Sequence, residues 1–172
     1  RSADRIFDYN SLSLYLKQAA ERSPFLGEAC ANKTSLIFSV LKRLLKENIS
    51  IRDQQTILET IVSSHSTDVD TLTALVRKNL CYQIREILQG PDGVLVLVFD
   101  ESLLEWFSQQ QQKGAALSHS QIAQLQNSIL ECFHQSGAST VNILCPADLR
   151  SYLCCLSKVL DGATYIICPE EL

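Results

Sequence analysis

The first half of the chain repeats its apolar residues at the three- and four-residue spacing of an amphipathic helix. The clearest apolar stripe spans residues 36–45, where the charged residues lie off the apolar side. Further stripes predict a helix over residues 12–19, another over 57–62 and one long helix over 72–87. The pattern therefore predicts an all-helical segment in which each helix buries one face.

Polar residues predict where these helices begin and end. Asn48 suits the C-terminal end of the helix over 36–45, because asparagine tolerates the left-handed backbone found there. Residues 50–53, Ser-Ile-Arg-Asp, have the pattern of a capping box, in which the Ser50 hydroxyl accepts a hydrogen bond from the Asp53 amide. This pattern places the N-cap of the following helix at Ser50.

The pattern changes from helical to extended after residues 90–93, Gly-Pro-Asp-Gly, which are the strongest turn signal in the chain. Residues 94–99 form a continuous apolar and β-branched run, typical of a strand covered on both faces. Two further strands are predicted at 140–144 and 164–167, with helical patterns between them. Strands that alternate with helices predict right-handed crossovers and a small parallel sheet.

Capping residues are predicted for the helices of this second half. Asp100 leads into the first helix, and Ser118 can accept a hydrogen bond at the start of the second. Gly137 suits the C-terminal end of that second helix. Pro146 occupies a favourable first-turn position of the third helix, and Gly162 closes it.

We therefore predict an α+β chain built of two subdomains. Residues 1–89 form an N-terminal all-helical subdomain, and residues 90–172 form a small three-stranded α/β subdomain. A length of 172 residues is enough for two small units with cores of their own. Because the sequence begins with Arg1 and contains no methionine, we interpret it as a fragment of a longer protein.

Charge and hydropathy exclude two classes of partner. The net charge of −4 argues against nucleic acid, for which a basic surface is expected. It also argues against binding to an anionic membrane surface. No apolar run approaches the roughly 20 residues that a membrane-spanning helix requires.

The seven cysteines predict reduced thiols rather than disulfides. Their number is odd, and their spacing is not that of a disulfide-rich secreted scaffold. Most of them lie inside apolar stretches, where a free cysteine behaves as a small buried hydrophobic residue. A cytosol-like compartment is the simple interpretation.

Cys145 is the most enzyme-like residue of the chain. It lies where a strand is expected to pass into a helix N-terminus, whose partial positive charge can lower the pKa of a thiol. A nucleophilic cysteine also needs a nearby base, and no histidine of the sequence has a reason to lie there. A packing role is therefore favoured over a reactive one.

No other motif predicts catalysis, a cofactor or a metal. The sequence lacks a glycine-rich phosphate loop, a Gly-x-Ser-x-Gly elbow and a His-Glu-x-x-His zinc motif. The three histidines, His65, His119 and His134, have no neighbours at the spacing of metal ligands. We predict no catalytic, cofactor-binding or metal-binding residue and no enzyme activity.

Residues 44–59 read Leu-Leu-Lys-Glu-Asn-Ile-Ser-Ile-Arg-Asp-Gln-Gln-Thr-Ile-Leu-Glu. This string resembles the signature of the export-gate family of type III secretion and flagellar systems, which includes FlhA, InvA and SctV. Gln54 replaces the usual leucine of that signature, and Ile49 replaces the usual valine. Further resemblances follow in the order of the family, at residues 70–77, 77–84, 147–153 and 171–172.

The resemblance implies a docking platform and not an enzyme. Family members carry N-terminal transmembrane helices and four cytoplasmic subdomains, of which residues 1–89 would be the third and residues 90–172 the fourth. The implied assembly is a homo-oligomeric ring, nonameric in the full-length protein, on the cytoplasmic side of a bacterial inner membrane. Its implied partners are export chaperone–substrate complexes and other secretion apparatus proteins, and only absent upstream segments would contact the membrane.

Four residues are candidates for the contact between subunits of such a ring: Arg52, Asp53, Arg77 and Gln83. Two of them have purely structural alternatives, because Asp53 can serve the capping box and Arg77 can belong to a solvated helix face. Two rival functions also stay open at this point. One is a small thiol enzyme that uses Cys145, and the other is an adaptor that forms no ring.

Overall fold

The computed structural model describes residues 6–88, 94–160 and 164–172, and the chain divides into two compact units, Arg1–Gln83 and Ile84–Leu172. In chain order the elements are α1 (Tyr9–Arg22), α2 (Pro24–Cys30), α3 (Thr34–Lys46), α4 (Gln54–Ser63), α5 (Val69–Asn79), α6 (Cys81–Leu88), β1 (Val94–Val98), α7 (Glu101–Gln112), α8 (His119–Ser136), β2 (Thr140–Leu144), α9 (Ala147–Leu153) and β3 (Thr164–Ile167). The predicted α+β class is confirmed. The predicted turn at 90–93 and the subdomain boundary at 89–90 lie outside the described residues.

The helical unit has a core built from the apolar stripes of its helices. The fully buried apolar side chains of α3, α4 and α5 are Ile37, Val40, Leu41, Leu44, Ile57, Leu58, Ile61, Leu72 and Val76. Helix α3 ends as predicted, because Asn48 takes a left-handed backbone with φ of 60°. The Ile49 amide then donates to the Leu44 carbonyl at 2.9 Å, which satisfies one of the open carbonyls at the helix end.

The prediction that Ser50 caps α4 is wrong. Helix α4 begins at Gln54, and its N-cap is Asp53, whose Oδ1 accepts from the Thr56 amide at 3.1 Å. The Ser50 hydroxyl instead accepts from the Arg52 amide at 3.3 Å. Aspartate is one of the strongest N-cap residues, so Asp53 caps the helix by itself without a box partner.

The single long helix predicted over residues 72–87 is also wrong, because the structure has two helices with a break at Leu80. The Leu80 amide donates to both the Val76 and the Arg77 carbonyls, at 2.9 and 3.1 Å, as in a tightened last helical turn. Leu80 is fully buried. The apolar pattern therefore continues across the break, which is why periodicity alone did not reveal it.

Helices α1 and α2 approach closely at Gly27. A β-carbon built at Gly27 would lie 2.5 Å from the Ala20 Cβ, much closer than real contacts allow. Gly27→Ala is therefore expected to destabilise the chain, since overpacking costs about 1–3 kcal/mol and alanine regains only about 1 kcal/mol in helix propensity. Urea unfolding of the single variant and of the Ala20→Gly/Gly27→Ala pair measures this. The proposed clash predicts that the double variant is more stable than the two single changes in unfolding free energy add up to. A double variant no more stable than that sum would contradict it.

The α/β unit contains the predicted parallel sheet, with strand order β1-β2-β3. Val94 to Val98 pair in register with Thr140 to Leu144, and β2 pairs with β3 from Val141–Thr164 to Leu144–Ile167. The buried core side chains of this unit are Phe107, Ile129, Val141, Ile143, Cys145, Leu149, Leu153, Leu156 and Ile166.

The predicted helix ends at Asp100, Ser118 and Gly137 are confirmed, but those at Pro146 and Gly162 are wrong. Pro146 is the N-cap of α9 and lies one residue before its first turn, and α9 ends at Leu153, where the chain tightens into a 3-10 helix over Cys154–Lys158. Asp100 caps α7 by accepting from the Leu103 amide at 2.9 Å. Ser118 caps α8 in a capping box with Gln121, and Gly137 ends α8 in the left-handed conformation with φ of 67°.

The prediction that the first strand is covered on both faces is wrong. Strand β1 is an edge of the sheet, and its Val96 and Val98 side chains are 49% and 66% exposed. Leu95 and Leu97 pack against the core on the other face. A continuous apolar run fits a half-covered edge strand as well as a central one, so the pattern alone did not distinguish them.

Candidate subunit-contact surface

Two of the four predicted contact residues, Asp53 and Gln83, are hydrogen-bonded to one tyrosine of the helical unit, and a third precedes Asp53 in the chain. The Tyr82 hydroxyl donates to Asp53 Oδ2 at 2.8 Å, and Gln83 Nε2 donates to the Tyr82 hydroxyl at 3.2 Å. Arg52 directly precedes Asp53 and is exposed. We call Arg52, Asp53, Tyr82 and Gln83 the Tyr82 cluster.

Tyr82 was missed by sequence reasoning, although it is the residue that joins the others. Its side chain is 44% exposed, while Leu80 and Ile84 on either side of it are buried. An aromatic residue that lies off the buried stripe of its helix is a signal that could have identified it. Exposed tyrosines carry a large apolar body with a polar end, and they are enriched at protein interfaces.

Asp53 has a structural role and also belongs to this surface. One carboxylate oxygen accepts from the Thr56 amide and so caps α4, and the other accepts from Tyr82. Partial burial opposes ionisation, but the hydrogen bonds from Thr56 and Tyr82 outweigh it and hold the pKa of Asp53 below its usual range. The carboxylate therefore stays charged at neutral pH and fixes the Tyr82 ring beside the start of α4.

Helix α1 holds the segment that carries Arg52. The Tyr15 hydroxyl donates to the Ile51 carbonyl at 3.0 Å, and Gln54 Nε2 donates to Gln18 Oε1 at 3.3 Å. Burial of the Tyr15 ring raises the pKa of its hydroxyl, which therefore keeps its proton and remains a donor. Hydrogen bonds from α1 and α6 thus fix the loop between α3 and α4, and Arg52 extends from a rigid support.

Arg77 does not belong to the Tyr82 cluster, and its interpretation as part of a solvated helix face is wrong. Its guanidinium donates to Glu47 Oε2 at 2.9 Å, and the two side chains are 1% and 3% exposed. Glu47 follows the last residue of α3, and Arg77 lies in the last turn of α5. In this chain Arg77 offers no surface to a neighbouring subunit, because its charge is used inside the helical unit.

Cys145 lies in a setting that favours packing over reactivity. It is buried, and its amide donates to the Ile167 carbonyl at 3.0 Å, which continues the β2–β3 pairing by one residue. The neighbouring thiol of Cys145, together with burial, raises the pKa of the Cys168 thiol. Among the described residues, no cluster of three or more histidine, cysteine or acidic side chains could hold a metal ion. None of the described helices combines the length and apolar character that a membrane span requires.

Comparison with known proteins identifies relatives for the whole chain. The model of the FHIPEP family matches residues 1–172. The chain is 38% identical over 72 residues to the flagellar biosynthesis protein FlhA of Buchnera aphidicola subsp. Baizongia pistaciae (strain Bp), a stretch that is 40% of this chain and 10% of that relative.

Solved structures of low sequence identity share the fold. The nonameric SctV-C of EPEC superposes with a TM-score of 0.77 and 20% identity over 99% of this chain and 55% of that chain. MxiA of Shigella flexneri gives a TM-score of 0.76 and 22% identity over 96% of this chain and 55% of its own. CdsV of Chlamydia pneumoniae, solved in complex with CdsO, gives a TM-score of 0.74 and 21% identity over 99% of this chain and 53% of its own. The chain thus spans about half the length of the solved chains and a tenth of the FlhA relative.

Proposed function

Because the chain belongs to the FHIPEP family, we propose that it is a ring-forming docking part of the export gate of a type III protein secretion apparatus. The observation that carries this proposal is the fold, which matches a solved nonameric SctV-C over nearly the whole chain. The Cys145 environment supports the view that the chain is a docking platform without catalytic activity of its own, since that thiol is buried.

The location and partners of the chain follow from the same premise. We propose that residues 1–89 and 90–172 are the third and fourth cytoplasmic subdomains of a longer bacterial inner-membrane protein. The proposed partners are further copies of this chain, export chaperone–substrate complexes and other proteins of the apparatus. The complex of the related CdsV with CdsO supports the last of these, since it shows that a protein of this fold binds a second polypeptide.

We propose that the Tyr82 cluster forms part of the contact between neighbouring subunits. Arg52 and Tyr82 are exposed, and arginine and tyrosine often supply most of the binding energy in interfaces. The hydrogen bonds of Asp53, Tyr82 and Gln83 fix the surface before association, which lowers the entropy lost on binding. Arg77 contributes from the interior, since its pair with Glu47 joins α3 to α5.

Sedimentation over a wide concentration range tests the ring, first on this chain and then on a longer chain that includes upstream residues. We expect growth toward a large closed species. Arg52→Glu is expected to weaken self-association by roughly tenfold or more, as for an arginine at the centre of an interface. Lys17→Glu on the exposed side of α1 makes the same change of charge and is the matched control. A longer chain that stays monomeric at every concentration would contradict the ring, and equal association of the two variants would exclude Arg52 from it.

A further inference from the structure

The outer edge of β1 is open. Strand β1 pairs with β2 on one side only, and in the part of the chain that the structure describes its backbone makes no other hydrogen bond. The backbone N–H and C=O groups that point away from β2 therefore form a row that has no hydrogen-bond partner among the described residues. Such a row is a template onto which another extended strand can pair.

Side-chain exposure distinguishes β1 from the rest of the sheet. Val96 and Val98 lie two positions apart and so point to the same face, where about half or more of each side chain is exposed. On the same face of the central strand β2, by contrast, Asn142, the register partner of Val96, is only 1% exposed. In β3, the other edge, most side chains are buried too. The open backbone of β1 thus adjoins an exposed apolar strip.

Strand β1 lacks the features by which proteins usually protect an edge. Its sequence, Val-Leu-Val-Leu-Val, contains no charged residue and no proline. Its register with β2 runs through five consecutive pairs without a bulge. Charges, prolines and bulges are the common protections against pairing with other chains. Without them, the backbone edge of this half-exposed strand is available for pairing with another chain.

We propose that β1 binds an extended segment of another polypeptide by β-strand addition, with alternate apolar residues of that segment over Val96 and Val98. Main-chain hydrogen bonds would supply the affinity of such a contact, and side-chain contacts its specificity. Asp100 and Glu101 are exposed directly after the strand, and residues 94–105 contain no lysine or arginine. The segment therefore carries a basic residue at the end that lies beside these two carboxylates.

We commit to a polypeptide other than a second copy of this chain as the occupant. Two β1 edges can meet around a twofold axis, which produces closed dimers. Pairing of that kind would leave one subunit unmatched in a ring with an odd number of members, such as the nonamer proposed above. Head-to-tail contact of β1 with another surface of a second copy is an outcome of the test below. The assignment of the occupant as an exported chain in an extended state rests on the charges of Asp100 and Glu101 and on the proposed function.

Fluorescence anisotropy with a synthetic peptide tests the inference on the 172-residue chain. The probe is a labelled ten-residue peptide with alternating valine and threonine and a lysine pair at one end. We expect binding that Val96→Lys and Val98→Lys each weaken by roughly tenfold or more, because a lysine blocks strand pairing and repels the basic end. Asn127→Lys on the exposed side of α8 adds the same charge and should leave the affinity unchanged. Amide hydrogen exchange should slow in β1 when the peptide binds.

A second peptide keeps the test decisive if a β1 variant fails to fold. It has the same sequence, but alternate backbone amides on the pairing edge are N-methylated, so it cannot complete the strand hydrogen bonds. We expect it not to bind the unmodified chain. Equal binding of both peptides, no binding of either, or unchanged affinity of the lysine variants would overturn strand addition. So would self-association of the chain, as a dimer or a larger species, that Val96→Lys abolishes, because the occupant would then be a second copy.

The outcome is separable from that of the ring proposal. If the longer chain assembles but does not bind the peptide, strand addition at β1 fails and the ring stands. If the peptide binds but the longer chain stays monomeric, the ring fails and β1 remains a peptide-binding edge.

Discussion

Replacing Arg77 by alanine is expected to destabilise the helical unit by about 3–5 kcal/mol, the cost of breaking a buried ion pair from one side. The Arg77 guanidinium donates to Glu47 Oε2 at 2.9 Å, and neither side chain is more than 3% exposed. Loss of the guanidinium leaves the Glu47 carboxylate buried without the positive charge that offsets its desolvation. Urea unfolding at neutral pH measures the change in the free energy of unfolding.

Two further variants isolate the cause of that loss. Lys78→Ala removes an exposed positive charge next to Arg77 on the same helix, and it should change stability by no more than about 0.5 kcal/mol. Replacement of both Glu47 and Arg77 by leucine removes both buried charges, so it should recover much of the stability lost by Arg77→Ala. A double variant as unstable as the single one would show that the ion pair is not the cause. An Arg77→Ala chain within about 1 kcal/mol of the unmodified protein would contradict the prediction itself.

This expectation bears on how assembly data are interpreted. A change at Arg77 can abolish a ring by unfolding the helical unit, without any contact between Arg77 and a neighbouring subunit. A change at Arg52 acts on an exposed side chain, and it should leave the unfolding midpoint almost unchanged. Only variants of the second kind can map a subunit contact.

Local patterns in the sequence predicted most of the fold. The helix over 36–45 and the strands at 140–144 and 164–167 were predicted correctly, because each depends on spacing that a short window contains. The failures have a different cause. Ser50 and Asp53 are competing caps three residues apart with similar N-cap preference, so residue type alone could not decide that Asp53 caps the helix. The helix break at Leu80 leaves the apolar pattern intact, and an edge strand such as β1 can be as apolar as a central one.

The candidate contact surface could be predicted only in part, because its geometry depends on distant pairs. Asp53 and Tyr82 are 29 positions apart in the sequence and meet through a hydrogen bond that no local pattern announces. Glu47 and Arg77 are 30 positions apart, and their pairing removes Arg77 from the surface. Residue type suggested which side chains can make contacts, but tertiary packing decided which of them remain exposed.

Replacing Lys33 by methionine is expected to destabilise the helical unit by about 2–3 kcal/mol, within the range measured for hydrogen bonds to charged groups. Lys33 Nζ donates to three carbonyl oxygens at the end of α4, those of Ile61, Val62 and Ser64, at 2.9, 3.1 and 2.8 Å. These carbonyls lie where a helix leaves its last acceptors without intrahelical partners. The ammonium group also carries the charge that the negative end of the helix dipole favours.

Replacing Lys33 by arginine tests whether the positive charge or the geometry of the hydrogen-bond donors stabilises the end of α4. Lys33→Arg keeps the positive charge, but a planar guanidinium cannot direct its donors at three convergent carbonyls from a single point as an ammonium does. We therefore expect it to recover only part of the stability lost in Lys33→Met. Lys17→Met, which removes an exposed lysine of α1, should change the unfolding free energy by no more than about 0.5 kcal/mol. Full recovery by arginine would show that charge alone stabilises the end of α4, whereas a methionine variant as stable as the unmodified chain would show that the three hydrogen bonds contribute nothing net.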